Sequence, residues 1–386
     1  MKTFRHFLLL SILCFSSCVQ EKKTATPNLP EATDLISQNI ITHAKGFKVF
    51  KENNITIVKV TSPWPQSNQE FTYALVAKDK MAQITLNANA YDAIIPVPVK
   101  KIVVTSTTHI PALEALGVEN TLVGFPDTKY ISSKKTRALI KSGHIKELGK
   151  NEAINTELLI DLSPELVVGF SINNQNKAYE TIQKSKIPVV YNGDWTEHSP
   201  LGKAEWIKFF APFFQKEAVA DSLFTKIETE YLNAKEVAKK FDRKPTVLSG
   251  AMYKDVWYLP AGKSWAAKFI EDANGNYLWS KSEGTGSLSL NLENVLEKGE
   301  NADFWIGPGQ FTAFQEMKDE NKIYTKFKAY EHKKIYTYSS VKGETGGLLY
   351  YELAPNRPDL VLKDLISILH PEAFPDYESN FFKPLQ

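Results

Sequence analysis

The 386-residue sequence is almost free of cysteine, since only Cys14 and Cys18 occur and both lie close to the N-terminus. Removal of an N-terminal export segment would leave the folded part of the chain without a thiol. Disulfide bonds, thiolate metal sites and cysteine nucleophiles are therefore excluded together from the fold. The stability of the chain has to come from its hydrophobic cores.

The sequence also lacks an excess of charge of either sign. Forty-six basic and 44 acidic side chains give a formal net charge of +2, so the charge balance indicates no nucleic-acid partner. The apolar run FLLLSILCF near the N-terminus is too short to span a bilayer. With 43% hydrophobic and 23% charged residues, the composition is that of a folded protein long enough for two domains.

The N-terminus has the layout of a lipoprotein export signal. Lys2 and Arg5 precede the apolar run, and small residues follow it. The run ends in FSSC, which resembles a bacterial lipobox with Phe15 in place of the usual leucine. The sequence predicts a signal peptide over residues 1–17 and a lipid anchor on Cys18, which would place the protein in the cell envelope on the periplasmic side of a membrane. The alternative is an ordinary cleaved signal with an incidental cysteine.

Two segments precede the main fold. Residues 18–40 are polar and carry two prolines, which suits a tether between lipid and domain. Residues 41–95 contain NITIVKV and FTYALVAKD, in which apolar residues alternate as in a strand. We expect a small β appendage there.

From residue 96 the pattern alternates between strands and helices. KIVVTS, IPALEALG and TLVGF read as strand, helix and strand, which predicts a parallel sheet covered by helices in an N-terminal lobe over residues 96–214. Residues 215–242 are free of glycine and proline and predict a long interlobe helix. Residues 243–386 repeat the alternation as a C-terminal lobe. The predicted fold is α/β, with two Rossmann-like lobes with central sheets, the long helix between them and the β appendage.

One element recurs in both lobes. NTELLIDLSPELVVG starts at Asn155, and the looser NLENVLEKGENADFWIG starts at Asn291. Each asparagine is a good N-cap, and Glu157 and Glu293 fall in the first helical turn, where a carboxylate favours the helix dipole by about 0.3–1 kcal/mol. Each helix then leads into a short apolar strand.

These motifs, in this order, resemble the substrate-binding lipoproteins of ABC importers, in the helical-backbone class that carries ferric siderophores, haem or vitamin B12. The resemblance covers residues 98–371 and includes VKKIVVTSTTHIPALEALGVENTLVGF, INTELLIDLSPELVVGF, the interlobe helix and NLENVLEKGENADF. The stretch DWTEHSPLGKAEWIKFF also resembles lipoproteins of the Bacteroidetes group. The resemblance implies a binding protein with no catalytic residues and no cofactor of its own, which delivers a metal complex or corrinoid to a dimeric permease.

The resemblance also implies a role for the two repeated acids. In the B12-binding member of the class, one glutamate on each lobe docks into arginine pockets of the permease, and these glutamates match Glu157 and Glu293. Exposed carboxylates held apart by a stiff connector suit bidentate arginines. The alternative is that both acids only complement helix dipoles.

In a two-lobed parallel-sheet protein the ligand lies at the carboxyl ends of the strands. The loops after the predicted strands are rich in aromatic residues, whose broad faces suit a porphyrin, a corrin or an aromatic siderophore. The predicted ligand-binding residues are Ser106, Thr107, Thr108, His109, Phe170, Trp195, Tyr253, Trp257 and Tyr258.

Three alternatives remain open on the sequence. His109 and His198, with Glu197 or Asp194, could form a bare metal-ion site. Asp194, Glu197 and His198 lie within five positions and could serve a hydrolase or chelatase as acid and base. The glycine-rich run GETGGLLYYE from Gly343 could hold an anion through backbone N–H groups, or act as a mobile loop at the cleft mouth.

Overall fold

The computed structural model of the chain describes residues 38–52, 54–173 and 175–386. The predicted signal peptide, Cys18 and most of the predicted tether lie outside these residues. In the part that is described, no helix combines the length and the apolar character needed to cross a membrane.

A four-stranded sheet, here the N-terminal sheet, opens the described chain. Its strands pair in sequence order, antiparallel except for the parallel last pair. The strands are β1 (Phe47–Glu52), β2 (Ile55–Val60), β3 (Phe71–Ala77) and β4 (Ala93–Val97). Buried Phe47 and Val49 flank exposed Lys48 in β1, so one face of the sheet is committed to a core.

The first lobe has a five-stranded sheet in which every pair is parallel. Its strands are β5 (Ile102–Val104), β6 (Leu122–Phe125), β7 (Lys146–Glu147), β10 (Leu166–Gly169) and β11 (Val189–Tyr191), and β8 (Gly149–Lys150) pairs separately with β9 (Ala153–Ile154). The order is β11-β10-β5-β6-β7. Strands β5 and β10 are buried along their whole length, as apolar runs in a sheet covered on both faces should be.

The described residues of the first lobe form six α-helices. They are α1 (His109–Ala115), α2 (Lys134–Lys141), α3 (Thr156–Leu162), α4 (Lys177–Lys184), α5 (Pro200–Glu205) and α6 (Ile207–Phe210). Next comes α7 (Glu217–Ala238), whose 22 residues give a length of about 33 Å at 1.5 Å per residue. This is the predicted interlobe helix.

The second lobe repeats the design. Its strands are β12 (Thr246–Ser249), β13 (Ala251–Tyr253), β14 (Val256–Pro260), β15 (Asn276–Tyr277), β16 (Ser287–Leu290), β17 (Phe304–Ile306), β18 (Ile335–Thr337) and β19 (Lys383–Pro384). The main sheet has the order β15-β12-β17-β18-β19 and is parallel except at β19, while β13-β14-β16 form a small antiparallel sheet. Its helices are α8 (Trp265–Asp272), α9 (Leu292–Gly299), α10 (Phe314–Glu320), α11 (Lys328–Glu331), α12 (Leu349–Leu353) and α13 (Pro358–Leu369).

The fold class predicted from the sequence is therefore confirmed. Helix α7 packs along α13, the last long helix of the second lobe, and also contacts α5 and α6 of the first lobe. The connector is thus fixed to both lobes.

The N-terminal sheet shares one continuous hydrophobic core with the first lobe, so the predicted appendage is an integral layer of that lobe.

A buried carboxylate fastens the N-terminal segment to the first lobe. Glu205 in α5 is fully buried and accepts hydrogen bonds from the backbone N–H groups of Thr42 at 3.0 Å, His43 at 2.6 Å and Ala44 at 2.9 Å. Burial on its own would raise the pKa of Glu205, but these N–H groups and the Lys208 ammonium outweigh it and hold the pKa below its ordinary value. Glu205 is therefore ionised and paired in the native state.

Glu197 makes a second attachment of the same kind. One of its oxygens accepts the N–H groups of Lys45 at 2.8 Å and Gly46 at 2.7 Å, together with the indole N–H of Trp206 at 3.2 Å. The ring of Phe47 packs against Trp206 with 4.4 Å between centroids. Polar and apolar contacts thus join the N-terminal sheet to the stretch around residues 194–214.

We predict that Glu205→Ala lowers the free energy of unfolding by about 3 kcal/mol, because it leaves three N–H groups without their acceptor. The pKa of Glu205 is depressed in the native state, so its contribution is complete above the ordinary glutamate pKa of about 4.3 and is lost as the pH falls below that value. Urea unfolding at pH 7 and at pH 3.5 measures both effects. The exposed Glu236→Ala is the matched control, and an equal loss in both variants would contradict the assignment.

Candidate ligand-binding cleft

The glycine-rich run of the second lobe lies against the first lobe. A Cβ added at Gly347 would lie 2.2 Å from the carbonyl oxygen of Tyr130, and one at Gly343 would lie 2.5 Å from the Cα of Ser132. Only glycine permits this approach. The hydroxyl of Thr345 donates to the carbonyl of Lys129 at 2.7 Å. The run is therefore an interlobe contact and not a free loop.

Helix α12 follows this run and adds a polar clamp between the lobes. Its Glu352 accepts hydrogen bonds from the backbone N–H groups of Ser132 and, at 2.9 Å, of Ser133. Burial raises the pKa of Glu352 to about 7, although both N–H groups favour its ionised form. At the rim, Arg137 and Lys141 of the first lobe bind Glu344 at 3.2 and 2.8 Å.

A cavity of about 560 Å³ opens at the carboxyl end of the second lobe's main sheet. Residues at the ends of β12, β17 and β18 line it, as expected for a ligand site in an open α/β sheet. Two helices of its wall contact the first lobe: α8 contacts α5, and α12 contacts α1. Nine aromatic side chains contribute to its wall: Tyr253, Tyr258, Trp265, Phe269, Phe311, Tyr338, Tyr350, Tyr351 and Phe382.

Tyrosine side chains supply the stacked rings and hydroxyl groups of this cavity. Tyr338 stacks on Tyr350 with 4.5 Å between ring centroids and 13° between planes, and its hydroxyl lies 3.1 Å from that of Tyr351. Burial raises the pKa of Tyr338 and of Tyr350 above the ordinary tyrosine value, so both remain neutral phenols at physiological pH. The wall therefore offers flat apolar faces and hydroxyl groups.

A glycine at the end of β12 allows the strands of the cavity wall to pack closely. Gly250 joins β12 to β13 with φ of +78°, and a Cβ there would lie 1.9 Å from the carbonyl oxygen of Tyr258. A side chain at this position would push β14 away from the main sheet. Tyr253 and Tyr258, both predicted from the sequence, are 67% and 43% exposed and line the cavity.

The structure corrects the placement of Trp257. This residue is fully buried and stacks on Trp305 at 5.3 Å, with Phe327 at 5.6 Å. Its indole N–H donates to the carbonyl of Ser249 at 3.1 Å. Since β14 alternates between buried and exposed positions, Trp257 points into the core and Tyr258 into the cavity.

The residues predicted at the end of β5 are only partly accessible. Ser106, Thr107 and Thr108 are half-buried, and the hydroxyls of Ser106 and Thr108 lie 2.9 Å apart. His109 is fully buried, and neither ring nitrogen has a hydrogen-bond partner among the residues that the structure describes. Burial lowers its pKa to about 4 against the opposing charge of Asp194, so His109 is neutral at pH 7 and closed to a ligand in this conformation.

Phe170 and Trp195 form the aromatic part of the first-lobe face. Their rings are 5.4 Å apart, and both are half-buried. Lys203 connects this pair to the cavity wall, because its ammonium donates to the carbonyl of Trp195 at 3.2 Å and lies 5.2 Å from the ring centroid of Trp265. Burial lowers the pKa of Lys203, and the charges of Asp194 and nearby Glu197 oppose that effect.

The residues of the metal-ion and hydrolase alternatives lie in different environments, although the charge of Asp194 acts on His109. Glu197 is bound to backbone N–H groups, His198 is exposed, and Asp194 and His109 are buried. Within residues 38–52, 54–173 and 175–386, no group of three or more His, Cys, Asp or Glu side chains could hold a metal ion. Within the cluster that suggested acid–base chemistry, Glu197 is an attachment point for the N-terminal segment.

A second cavity of about 710 Å³ lies between helices on the interlobe side of α7. It is larger than the first, but its wall consists of helix faces and carries seven charged residues: Glu114, Lys135, Lys226, Glu230, Arg357, Asp359 and Lys363. Most are engaged with one another, for example Arg357 with Asp359 at 2.7 Å. Because ligands of open α/β sheets bind at strand ends, the tyrosine-lined cavity is the better candidate.

The two repeated helix starts have the predicted caps. The side chain of Asn155 accepts the N–H of Leu158 at 3.0 Å, and that of Asn291 accepts the N–H of Asn294 at 2.9 Å. Glu157 and Glu293 lie in the first turns of α3 and α9, and both are exposed. The strands β10 and β17 follow these helices and are buried.

Sequence reasoning missed much of the cavity wall. Tyr338 directly follows β18, so the rule that ligands lie at strand ends could have found it. Tyr350 and Tyr351 lie on α12 after the glycine run, and Phe382 comes from the C-terminal segment. The run GETGGLLYYE includes the first two, but no local pattern shows that they reach the cavity, and none marks Phe382.

Comparisons with known proteins agree with this architecture. Residues 102–341, which are 240 of the 386, match the family model of the periplasmic binding proteins. The chain therefore belongs to the periplasmic binding protein family, which confirms the resemblance seen in the sequence. An uncharacterized lipoprotein of Methanocaldococcus jannaschii is 27% identical over 98% of this chain and 96% of its own length.

Two solved structures share the fold at low sequence identity. A possible iron-binding periplasmic solute-binding protein of Staphylococcus epidermidis has a TM-score of 0.56 and 18% identity, covering 71% of this chain and 100% of that chain. The periplasmic haem-binding protein HutB of Vibrio cholerae has a TM-score of 0.54 and 18% identity, covering 68% of this chain and 99% of that chain.

We predict opposite consequences for two neighbouring substitutions in β14. Trp257→Ala removes a buried ring and should lower the free energy of unfolding by about 3–5 kcal/mol. Tyr258→Ala removes a half-exposed ring and should change stability by less than about 1 kcal/mol. Denaturant unfolding of both variants tests the assignment, and a larger loss for Tyr258→Ala would reverse it.

Proposed function

We propose that this protein is the substrate-binding lipoprotein of an ABC importer, and that it captures a ferric siderophore, haem or cobalamin-type complex at the interlobe cleft. The tyrosine-lined cavity carries the proposal. A cavity of about 560 Å³ with an aromatic wall is of a size and character that suit a drug-sized ligand with flat or bulky apolar surfaces. Membership of the periplasmic binding protein family supports the transport role.

The distribution of exposed apolar surface supports the same location. Nine large apolar side chains are exposed in the described part of the chain. Three of them, Tyr253, Tyr258 and Tyr351, line the cavity, and two more, Tyr130 and Ile172, follow first-lobe strands β6 and β10. Such surface on soluble proteins commonly marks a binding site. In the proposed ligand-bound state the first-lobe face with Phe170 and Trp195 closes over the cargo.

The named ligands of related structures point to the same class of cargo. One structural neighbour is described as possibly iron-binding and another as haem-binding. A bare metal ion is less well supported, because the described residues offer no set of three ligating side chains.

Titration of the mature protein with hydroxocobalamin, haemin and several ferric siderophores tests the capture of a metal complex. We expect one class to raise the melting temperature and quench tryptophan fluorescence, since a ligand at one hundred times its Kd adds about 2.7 kcal/mol of stability. Tyr338→Ala should weaken that binding at least about tenfold, whereas Tyr91→Ala, outside the cavity, should not. Chemical change of the ligand, or equal effects of both substitutions, would contradict a binding role for the cavity.

Delivery of the ligand to the permease would use Glu157 and Glu293, which lie at the two capped helix starts. Glu157 and Glu293 are exposed, and neither forms an ion pair with a residue in the described part of the chain. Their helices belong to different lobes that α7 and the Glu352 clamp hold together. Two carboxylates at a fixed separation can define the register of docking on a two-fold permease through bidentate arginines.

Glu157→Arg combined with Glu293→Arg should abolish uptake into cells while leaving the affinity for the free ligand within about twofold. The matched control reverses two neighbouring exposed acids, Glu152→Arg with Glu297→Arg, and should transport normally. Equal loss of transport in both double variants, or loss of ligand affinity in the first, would remove the docking role.

The N-terminal sequence supports a location in the cell envelope. The FSSC sequence before the polar tether supports acylation of Cys18 and attachment to a membrane of the cell envelope. The related lipoprotein, aligned over 98% of this chain, agrees with that attachment. The importing permease would then meet the protein at the membrane surface.

A further inference from the structure

The charges around the tyrosine-lined cavity restrict which complexes it can hold. Among the 24 residues that line it, only Glu320 carries a formal charge. This carboxylate ends α10 and is exposed. The remaining polar groups of the wall are neutral: tyrosine hydroxyls, Ser249, Ser287 and the amide of Gln310.

Two cations close to aromatic rings of this wall, Lys203 and Lys254, are not among its lining residues. The ammonium of Lys203 donates to the carbonyl of Asp194 at 3.0 Å and to that of Trp195, and Lys203 is only 7% exposed. Lys254 lies 5.6 Å from the centroid of the exposed Tyr253 ring, at the mouth and not among the lining residues. His109, on the first-lobe face, is buried and neutral.

No guanidinium is free to bind an anionic ligand within the described residues. These residues contain three arginines, and each is paired with a carboxylate. Arg137 binds Glu344 at 3.2 Å, and it also donates to a backbone carbonyl. The other two pairs are Arg243 with Asp303 at 3.4 Å and Arg357 with Asp359 at 2.7 Å.

An anionic complex in this cavity would therefore lose hydration and find no cationic side chain among the 24 lining residues. Transfer of a charge out of water is costly unless the charge is paired and hydrogen-bonded. A triply anionic tris-catecholate complex would also be repelled by Glu320. A neutral complex loses less hydration energy, and the cost for a cationic complex is offset by the Glu320 carboxylate and by the tyrosine faces. Both kinds gain aromatic contacts and phenol hydrogen bonds.

We propose that the cargo of this cavity is a metal complex without net negative charge, of the ferric tris-hydroxamate or corrinoid kind. The proposal rests on the proposed function and narrows it. Ferric tris-catecholates, and haem with its two ionised propionates, are anionic and fall outside this class of cargo. Cations over tyrosine faces, and amide or hydroxamate oxygens facing phenols, are the recognising contacts.

Fluorescence quenching titrations with four probes test the rule that this cavity disfavours complexes with net negative charge, here called the charge rule. They are ferrichrome (neutral), ferrioxamine B (cationic), ferric enterobactin (triply anionic) and haemin. We expect ferrichrome or ferrioxamine B to bind at least about tenfold tighter than both anionic probes. Tightest binding of ferric enterobactin or haemin would overturn the charge rule and leave the proposed function intact. If none of the four binds, and hydroxocobalamin also fails to bind in the titration described above, the proposed function fails and the charge rule falls with it.

A charge variant at the cavity distinguishes electrostatics from shape. Glu320→Lys should tighten ferric enterobactin about fivefold and weaken ferrioxamine B by a similar factor, while leaving ferrichrome nearly unchanged. Glu331→Lys, an exposed acid on α11 outside the cavity, is the matched control. Identical responses of the anionic and cationic probes to Glu320→Lys would refute an electrostatic origin of the selectivity.

Discussion

The clamp between Glu352 and the backbone N–H groups of Ser132 and Ser133 is the contact on which the arrangement of the two lobes most depends. It joins α12, which carries Tyr350 and Tyr351 of the cavity wall, to the first lobe. The close approach of the glycine run reinforces it, and α7 spans the same boundary on the helical side. With the lobes held in this way, the carboxyl ends of the second-lobe strands lie beside the first-lobe aromatic face.

Local patterns predicted the fold well because they act over short stretches of chain. The N-caps Asn155 and Asn291, the uninterrupted α7 and the apolar strands each depend on residues within a few positions. The role of Glu197 could not be predicted in the same way. Glu197 finds its backbone partners more than 150 positions earlier in the chain, and a cluster of acids and histidine in sequence looks the same whether it is catalytic or structural.

The wall of the candidate cavity was predicted in part, for a reason visible in β14. Trp257 and Tyr258 are neighbours, and a strand must point them to opposite faces. The sequence does not say which face meets the core, because both residues are aromatic. The tyrosines of α12 and Phe382 reach the cavity only through tertiary packing, so only the folded chain reveals them.

The central claim is that cargo rests at the strand ends of the second lobe, opposite the first-lobe aromatic face. Crystals grown with the ferric complex that binds most tightly, and measured at the iron absorption edge, locate the metal directly. The account predicts an anomalous peak within the cavity walled by Tyr258, Tyr338 and Tyr351. A peak in the groove beside Lys226 and Arg357, or on the outer surface of either lobe, would contradict it.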